Sequence, residues 1–183
     1  MKKNLKIIAK TTLKLLSKKS VNSLSLNEVK KISQVKSFDK YIKSKKVLLN
    51  NISFYFDNIL SLRIKNLENS NHKDMIFEIM MMRFDILQDN RKAILSIFKS
   101  LQNSPKLIIF LLPQVLDSLV LMLGYAKITT QGLKGQIKIK GILIIYISTF
   151  LVWTKDESFS LEKTMTVLDK YLDQAGKILN IVK

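Results

Sequence analysis

The sequence predicts an all-α protein: a small, basic head of three short helices followed by a larger and more apolar helical body. Three observations predict it. Two Pro and five Gly in 183 residues leave too few turn residues for a many-stranded β fold. Apolar residues recur at helical spacing in almost every segment. Charge is also segregated. Residues 1–50 hold fourteen Lys against two acids, Glu28 and Asp39, a net +12, so the other 133 residues carry only +5 of the formal +17. The boundary expected from these patterns puts a helix-turn-helix head at 1–46 and a helical body at 47–183.

The elements follow in order. Leu5, Ile8, Leu13, Leu15 and Leu16 share one face of a first helix, with Lys6, Lys10 and Lys14 on the other, and Lys18-Lys19-Ser20 ends it. Ser25 with Glu28 three residues later is a capping-box signature. It opens a second helix whose expected buried stripe is Leu26, Val29 and Ile32. A turn over 33–37 leads to a very short third helix, Phe38–Ile42, and this spacing fits a helix-turn-helix unit. From Val47, Leu48, Ile52, Tyr55/Phe56 and Ile59/Leu60 mark a long fourth helix. After the polar break 66–73 come helices marked by Ile76, Met80, Phe84 and Leu87, then by Ile94, Ile97 and Leu101. Pro105 opens an apolar helix over 107–125, expected to kink near Pro113. Gly132–Gly135 is expected to interrupt the chain before a helix at Gly141–Trp153, which is apolar all round and so should be enclosed by others. Asp156-Glu157-Ser158 reads as a loop capping a last helix, Leu161–Val182, with Met165, Leu168, Leu172 and Ile178/Leu179 inward.

Composition excludes most enzyme chemistry. There is no Cys, hence no disulfide, thiolate nucleophile or thiolate zinc site. A single His, His72, rules out a multi-histidine metal site within one chain and reads as a surface residue. Asp85, Asp89 and Asp117 form no paired-carboxylate pattern. The expectation is a protein that is not an enzyme and has no metal and no cofactor. Lys6, Lys10 and Lys14 break any secretory apolar run near the start, which suggests a cytoplasmic protein. The apolar stretch 107–126 contains Pro113, Gln114 and Asp117, and Ile142–Trp153 is too short to span a bilayer, so both read as buried helices. The basic head points to a polyanionic partner, nucleic acid or an anionic membrane, although a Lys-rich composition would also raise its charge.

The head resembles the DNA-binding module of the TetR family of transcriptional regulators. From Ile8 to Val35 the family's spacing is kept without a gap, through Leu13, Leu15, Leu16, Val21, Ser25, Leu26, Glu28 and Val29. Val35 and Tyr41 stand where the family has the Val opening the turn and the Tyr of the recognition helix. Ser44-Lys45 with Leu48-Leu49 resembles the opening of its fourth helix. Ser20 and Gln34 stand where Gly is usual and Lys30 where a small residue is, and the segment between Tyr41 and Ser44 is two residues short. The resemblance implies DNA contacts from Ser25, Lys36, Ser37, Lys40, Tyr41, Lys43 and Lys45, with base reading at Lys36, Ser37 and Lys40. It also implies a homodimer joined through the last two helices.

The C-terminal half is similar to the coenzyme Q accessory family, TetR-fold lipid-binding proteins that support ubiquinone biosynthesis. The similarity lies in Ile145-Tyr146, Thr149, Leu151-Val152, Asp156, Ser158, Thr164, Leu168 and Leu172. Arg83-Phe84-Asp85 is similar to α-proteobacterial TetR-like proteins sharing that pattern. An apolar ligand pocket in the body would draw on Met80, Phe84, Leu87, Leu119, Leu123, Tyr146, Phe150 and Trp153, with Tyr146 and Trp153 able to donate a hydrogen bond to a ligand carbonyl. The same residues equally suit a plainly packed core. The leading expectation is a TetR-like, double-stranded-DNA-binding regulator, a repressor, with an apolar effector pocket. The alternative is a lipid-binding accessory protein of ubiquinone biosynthesis, binding an isoprenoid lipid, whose head touches anionic membrane rather than reading DNA.

Overall fold

The computed structural model describes residues 1–68 and 70–179, with side chains up to residue 176. The fold is all-α, and no strand occurs among the described residues. In chain order the helices are α1 (Lys3–Leu16), α2 (Leu26–Ser33), α3 (Phe38–Tyr41), α4 (Lys45–Arg63), a 3₁₀ turn (Ile64–Asn66), α5 (His72–Gln88), α6 (Arg91–Gln102), α7 (Pro105–Tyr125), α8 (Gly132–Trp153) and α9 (Glu162–Leu179). They form two compact units. The first comprises residues 1–62 and 86–115, the second residues 63–85 and 116 onward. The first unit holds 18 basic residues against 4 acidic ones, and the second 13 against 10.

The first unit is built on α1, which packs against α2, α3 and α6. Ile8, Ala9, Leu13 and Leu16 of α1 meet a core completed by Val29, Val35, Phe38, Ile42, Leu48 and Leu60, each nearly or wholly removed from water. Burying an aliphatic or aromatic side chain of this size contributes about 1.5–3 kcal/mol. Polar ties fix the register. The Asn51 side-chain amide donates to the Leu5 carbonyl at 2.9 Å, and the Ser96 hydroxyl donates to the Lys19 carbonyl at 2.8 Å. Ile32, expected in the buried stripe of α2, is half exposed instead. With only eight residues, α2 turns a narrow face to α1, and Val29 alone of that stripe is fully buried.

The second unit centres on α8 packed along α9. Its core holds Ile76, Ile79, Met80, Phe84, Leu119, Leu123, Ile142, Trp153, Leu168 and Leu172. His72 is no free surface residue: its Nδ1 lies 3.0 Å from the Ala126 carbonyl and ties the start of α5 to the end of α7. The Lys73 ammonium bridges α5 to Asp173 at 2.6 Å and Asp169 at 2.9 Å on α9, and these bonds raise its pKa to about 12.

Four expectations about helices are corrected. α8 does not begin at Gly141 but runs unbroken from Gly132. The glycine at 135 is imposed by packing, since a Cβ there would lie 2.1 Å from the Thr130 backbone carbon. Nor is α8 enclosed: it buries Ile139, Ile142, Ile145, Thr149 and Trp153 but leaves Leu133, Ile137, Ile144, Ile147 and Leu151 in the open. α7 likewise exposes Ile108, Ile109, Leu112 and Val120. Both are long and apolar enough to cross a membrane; each buries one face within the protein and leaves an apolar face open. Finally, Met165 of α9 points outward, 41% exposed. Ile178, Leu179 and Val182 lie outside the residues whose side chains are described.

The loop before α9 is built as its cap. Asp156 is fully buried, and its Oδ2 accepts from the Thr164 backbone N–H and hydroxyl, both at 2.8 Å. Its Oδ1 accepts from the Ser158 hydroxyl at 2.6 Å, while Ser158 Oγ accepts from the Glu162 N–H at 3.0 Å. Burial pushes the Asp156 pKa up, but these hydrogen bonds outweigh it and hold the carboxyl at about 2.

Candidate nucleic-acid interface

The helix-turn-helix is assembled by local chemistry. Ser25 caps α2, its Oγ accepting from the Glu28 N–H at 3.1 Å. The Glu28 carboxylate does not fold back to close the box. It accepts from Lys19 at 2.6 Å, which joins α2 to the end of α1. The turn out of α2 passes through Gln34 in the left-handed region, φ 53°, and Val35 and Phe38 then anchor α3 in the core. Lys30 pairs with Asp39 and so clamps α2 to α3. α3 has only four residues and ends where Ile42 turns extended and buries its side chain.

The seven residues expected to touch DNA fall on this frame in distinct settings. Lys36, Lys40 and Lys43 are exposed and form no ion pair among the described residues. They flank or sit on α3, within eight residues of one another. Ser37 and Tyr41 are half buried beside them. Ser25 is exposed but engaged as the α2 cap. Lys45 is a brace: its ammonium donates to the Asn22 carbonyl at 2.8 Å and the Val21 carbonyl at 3.4 Å, tying the start of α4 to the α1–α2 loop. Ser44 caps α4, accepting from the Val47 N–H at 3.3 Å.

Of the eight residues expected to line an apolar pocket, Leu87 falls in the first unit and the other seven in the second. Phe84 stacks on Tyr146 with ring centres 5.5 Å apart, and Phe150 stacks on Trp153 at 5.3 Å. Met80, Phe84, Leu119, Leu123 and Trp153 are fully or almost fully buried. None of the eight lines any of three described cavities. The largest of these, about 600 Å³, lies in the first unit, where apolar Leu13, Tyr55 and Ala93 line it together with cations and Asp89. Sequence reasoning missed it because its parts, Lys10 and Lys14 on α1, Tyr55 on α4 and the Arg91-Lys92 start of α6, are far apart in the chain. The one local signal was a helix opening on two cations with no acid in its first turn.

No family model matches this chain, and no curated protein matches it. The resemblance of the C-terminal half to the coenzyme Q accessory family therefore gains no support from either comparison. Solved structures do match. The TetR transcriptional regulator from Nitrosomonas europaea ATCC 19718 superposes with a TM-score of 0.74 at 18% identity, over 95% of this chain and 98% of that one. A TetR-family transcriptional regulator from Streptomyces coelicolor superposes with a TM-score of 0.62 at 14% identity, over 100% and 89% of the two chains. The fold is that of the TetR-type regulators, N-terminal helix-turn-helix included.

Proposed function

We propose that the protein is a non-enzymatic, cytoplasmic, DNA-binding transcriptional regulator of the TetR type, a repressor that works as a homodimer. The observation that carries this reading is the row Lys36, Lys40 and Lys43 around α3, exposed and without ion pairs among the described residues, on a helix-turn-helix of TetR fold. Cations so placed suit phosphate oxygens, and the brevity of α3 makes backbone contacts a larger share of binding than base reading. The open apolar face of α8 supports the dimer. An effector held by the apolar body would regulate DNA binding only through unequal affinity for the DNA-competent and incompetent states.

Fluorescence anisotropy with a labelled duplex, across a series of salt concentrations, tests the reading. Wild type should bind with an affinity that falls steeply with salt. The variant K36A/K40A/K43A should bind more weakly at every salt and lower the log–log slope by about 2–3, close to one unit per lost phosphate contact. An unchanged slope in the variant, or no duplex binding by wild type at low salt, would end the proposal.

A further inference from the structure

The first half of α7 shows water an apolar surface that the first unit does not cover. The buried residues of this helix, Ser118, Leu119, Met122 and Leu123, all lie in its second half, and none of residues 105–115 is buried. Ile108 is 48% exposed, Ile109 73% and Leu112 37%. Pro105 and Pro113 are exposed as well. These five positions follow one another at steps of one, three or four residues, so they form one continuous stripe along the helix. Cations frame it. Lys46, at the start of α4, holds its ammonium 4.8 Å from the centre of the Phe110 ring. Lys106 stands in the first turn of α7 and Lys99 in the last turn of α6, and all three lysines are exposed. No Asp or Glu occurs from residue 90 to residue 116. Of the four acids in the unit, Glu28 and Asp39 are already paired with Lys19 and Lys30.

We propose that this stripe docks on the surface of an anionic lipid bilayer, with Ile108, Ile109 and Leu112 set among the acyl chains and Lys46, Lys99 and Lys106 on the headgroup phosphates. Helices that lie in a membrane interface combine these two parts, an apolar face and cations beside it. Residues 105–115 reach about 16 Å as a helix, roughly half the thickness of a hydrocarbon core, so the segment lies along the surface and does not cross it. Charge and shape choose this occupant over others. A second copy of the chain would bring the same lysines together, in a unit that already carries 18 basic residues against 4 acidic ones. Duplex DNA would meet the lysines but leave the isoleucines uncovered. A protein partner needs a surface of matching shape, and no residue of α7 lines any of three described cavities. A bilayer needs only an open apolar face. The docking goes beyond the regulator reading and uses none of Lys36, Lys40 and Lys43. Its test contains no DNA, so either proposal can fail alone.

Co-sedimentation of the full chain with vesicles reads the affinity directly. Vesicles of phosphatidylcholine mixed with phosphatidylglycerol should bind it, and vesicles of phosphatidylcholine alone should bind it at least about a hundredfold more weakly. K46Q/K99Q/K106Q should weaken binding to the mixed vesicles about a hundredfold, from about fivefold per lysine beside an anionic surface. K2Q/K3Q/K6Q removes the same charge elsewhere and should weaken it by less than about threefold. I108S/I109S/L112S should keep the helical content and weaken binding about a hundredfold. Ile109→Trp places a reporter in the stripe. The one natural Trp, Trp153, is fully buried, so a blue shift of emission on the mixed vesicles would come from the new indole. The proposal is overturned if the mixed vesicles do not bind, or if both compositions bind equally. It also falls if K2Q/K3Q/K6Q loses as much as K46Q/K99Q/K106Q, or if the Ile109→Trp emission stays in place while the protein is bound. Sedimentation without lipid is the last arm. If I108S/I109S/L112S turns a wild-type dimer into a monomer, a second copy covers the stripe and the lipid site is overturned; an unchanged assembly supports it.

Discussion

Gln34 ends α2 at φ 53°, ψ 24°, with its N–H bonded to the Lys30 carbonyl at 3.2 Å. An L-residue with a Cβ is disfavoured there by about 1–2 kcal/mol. Glycine adopts the same geometry freely but loses more chain entropy on folding. The balance predicts that Gln34→Gly stabilises the protein by about 0.5–1 kcal/mol, a rise of about 1–4 °C in thermal midpoint for a chain of this size. A midpoint that stays level or falls would mean the turn is not strained. Lys127, at φ 58°, ends α7 in the same way, with the Ile128 N–H reaching back to the Leu123 carbonyl at 2.9 Å. Neither position was legible as a helix terminus from residue type, because Gly or Asn is the usual mark of a left-handed cap and neither occurs here. Val29 and Ile32 make a related point. Both carry the helical period, but only Val29 is buried, since periodicity marks a face and cannot say how wide its partner is.

At the scale of elements, the Asp156–Ser158 cap was readable from residue types and spacing, and the structure adds its depth. The fully buried carboxylate satisfies two donors on Thr164 and two on Ser158. Asp156→Ala should destabilise the protein by about 2–4 kcal/mol, combining a lost helix cap with unsatisfied buried donors. The folded pKa, about 2, lies below the ordinary 3.8. The folded state therefore binds this proton more weakly than the unfolded chain does. The resulting stabilisation, about 2 kcal/mol, is complete above about pH 4 and is lost as pH falls from there through 2. Urea unfolding at pH 7, 4 and 2.5 should show Asp156→Asn losing less stability across that window than wild type; parallel losses would assign the acid sensitivity elsewhere. Most helices were legible because each carries its own period, caps and polar breaks. The start of α8 was not, because Gly132 and Gly135 read as breakers while the reason for Gly135 is the backbone at Thr130, a contact no local pattern contains. The cavity lined by Lys10, Tyr55 and Arg91 was illegible for the same reason on a larger scale, being assembled from three helices.

For the whole molecule, the apolar face that α8 leaves open is the feature a single chain does not explain. Leu133, Ile137, Ile144, Ile147 and Leu151 follow one another at intervals of four, seven, three and four residues, the 3.5-residue period of a helix seam, with Lys140 at the one polar step. Exposure reaches 66% at Ile144 and 79% at Leu133. The opposite face of α8 is occupied by α9, so this stripe is available to a second copy of the chain. Paired across a two-fold axis, equivalent stripes would bury one another, as a self-complementary interface requires. Two carboxylates set into such a seam would meet their symmetry mates and be desolvated together, while on an unpaired surface they would be well tolerated. Wild type should therefore sediment as a dimer, and I144E/I147E at the same concentrations as a folded monomer with unchanged helical content. Its duplex affinity should also fall, because one chain would present one helix-turn-helix where a dimer presents two to half-sites about one helical turn, 34–36 Å, or a multiple apart. If the variant stays dimeric, the seam does not join the protomers, and another apolar surface, such as the exposed Ile108, Ile109 and Leu112 of α7, takes its place as the candidate.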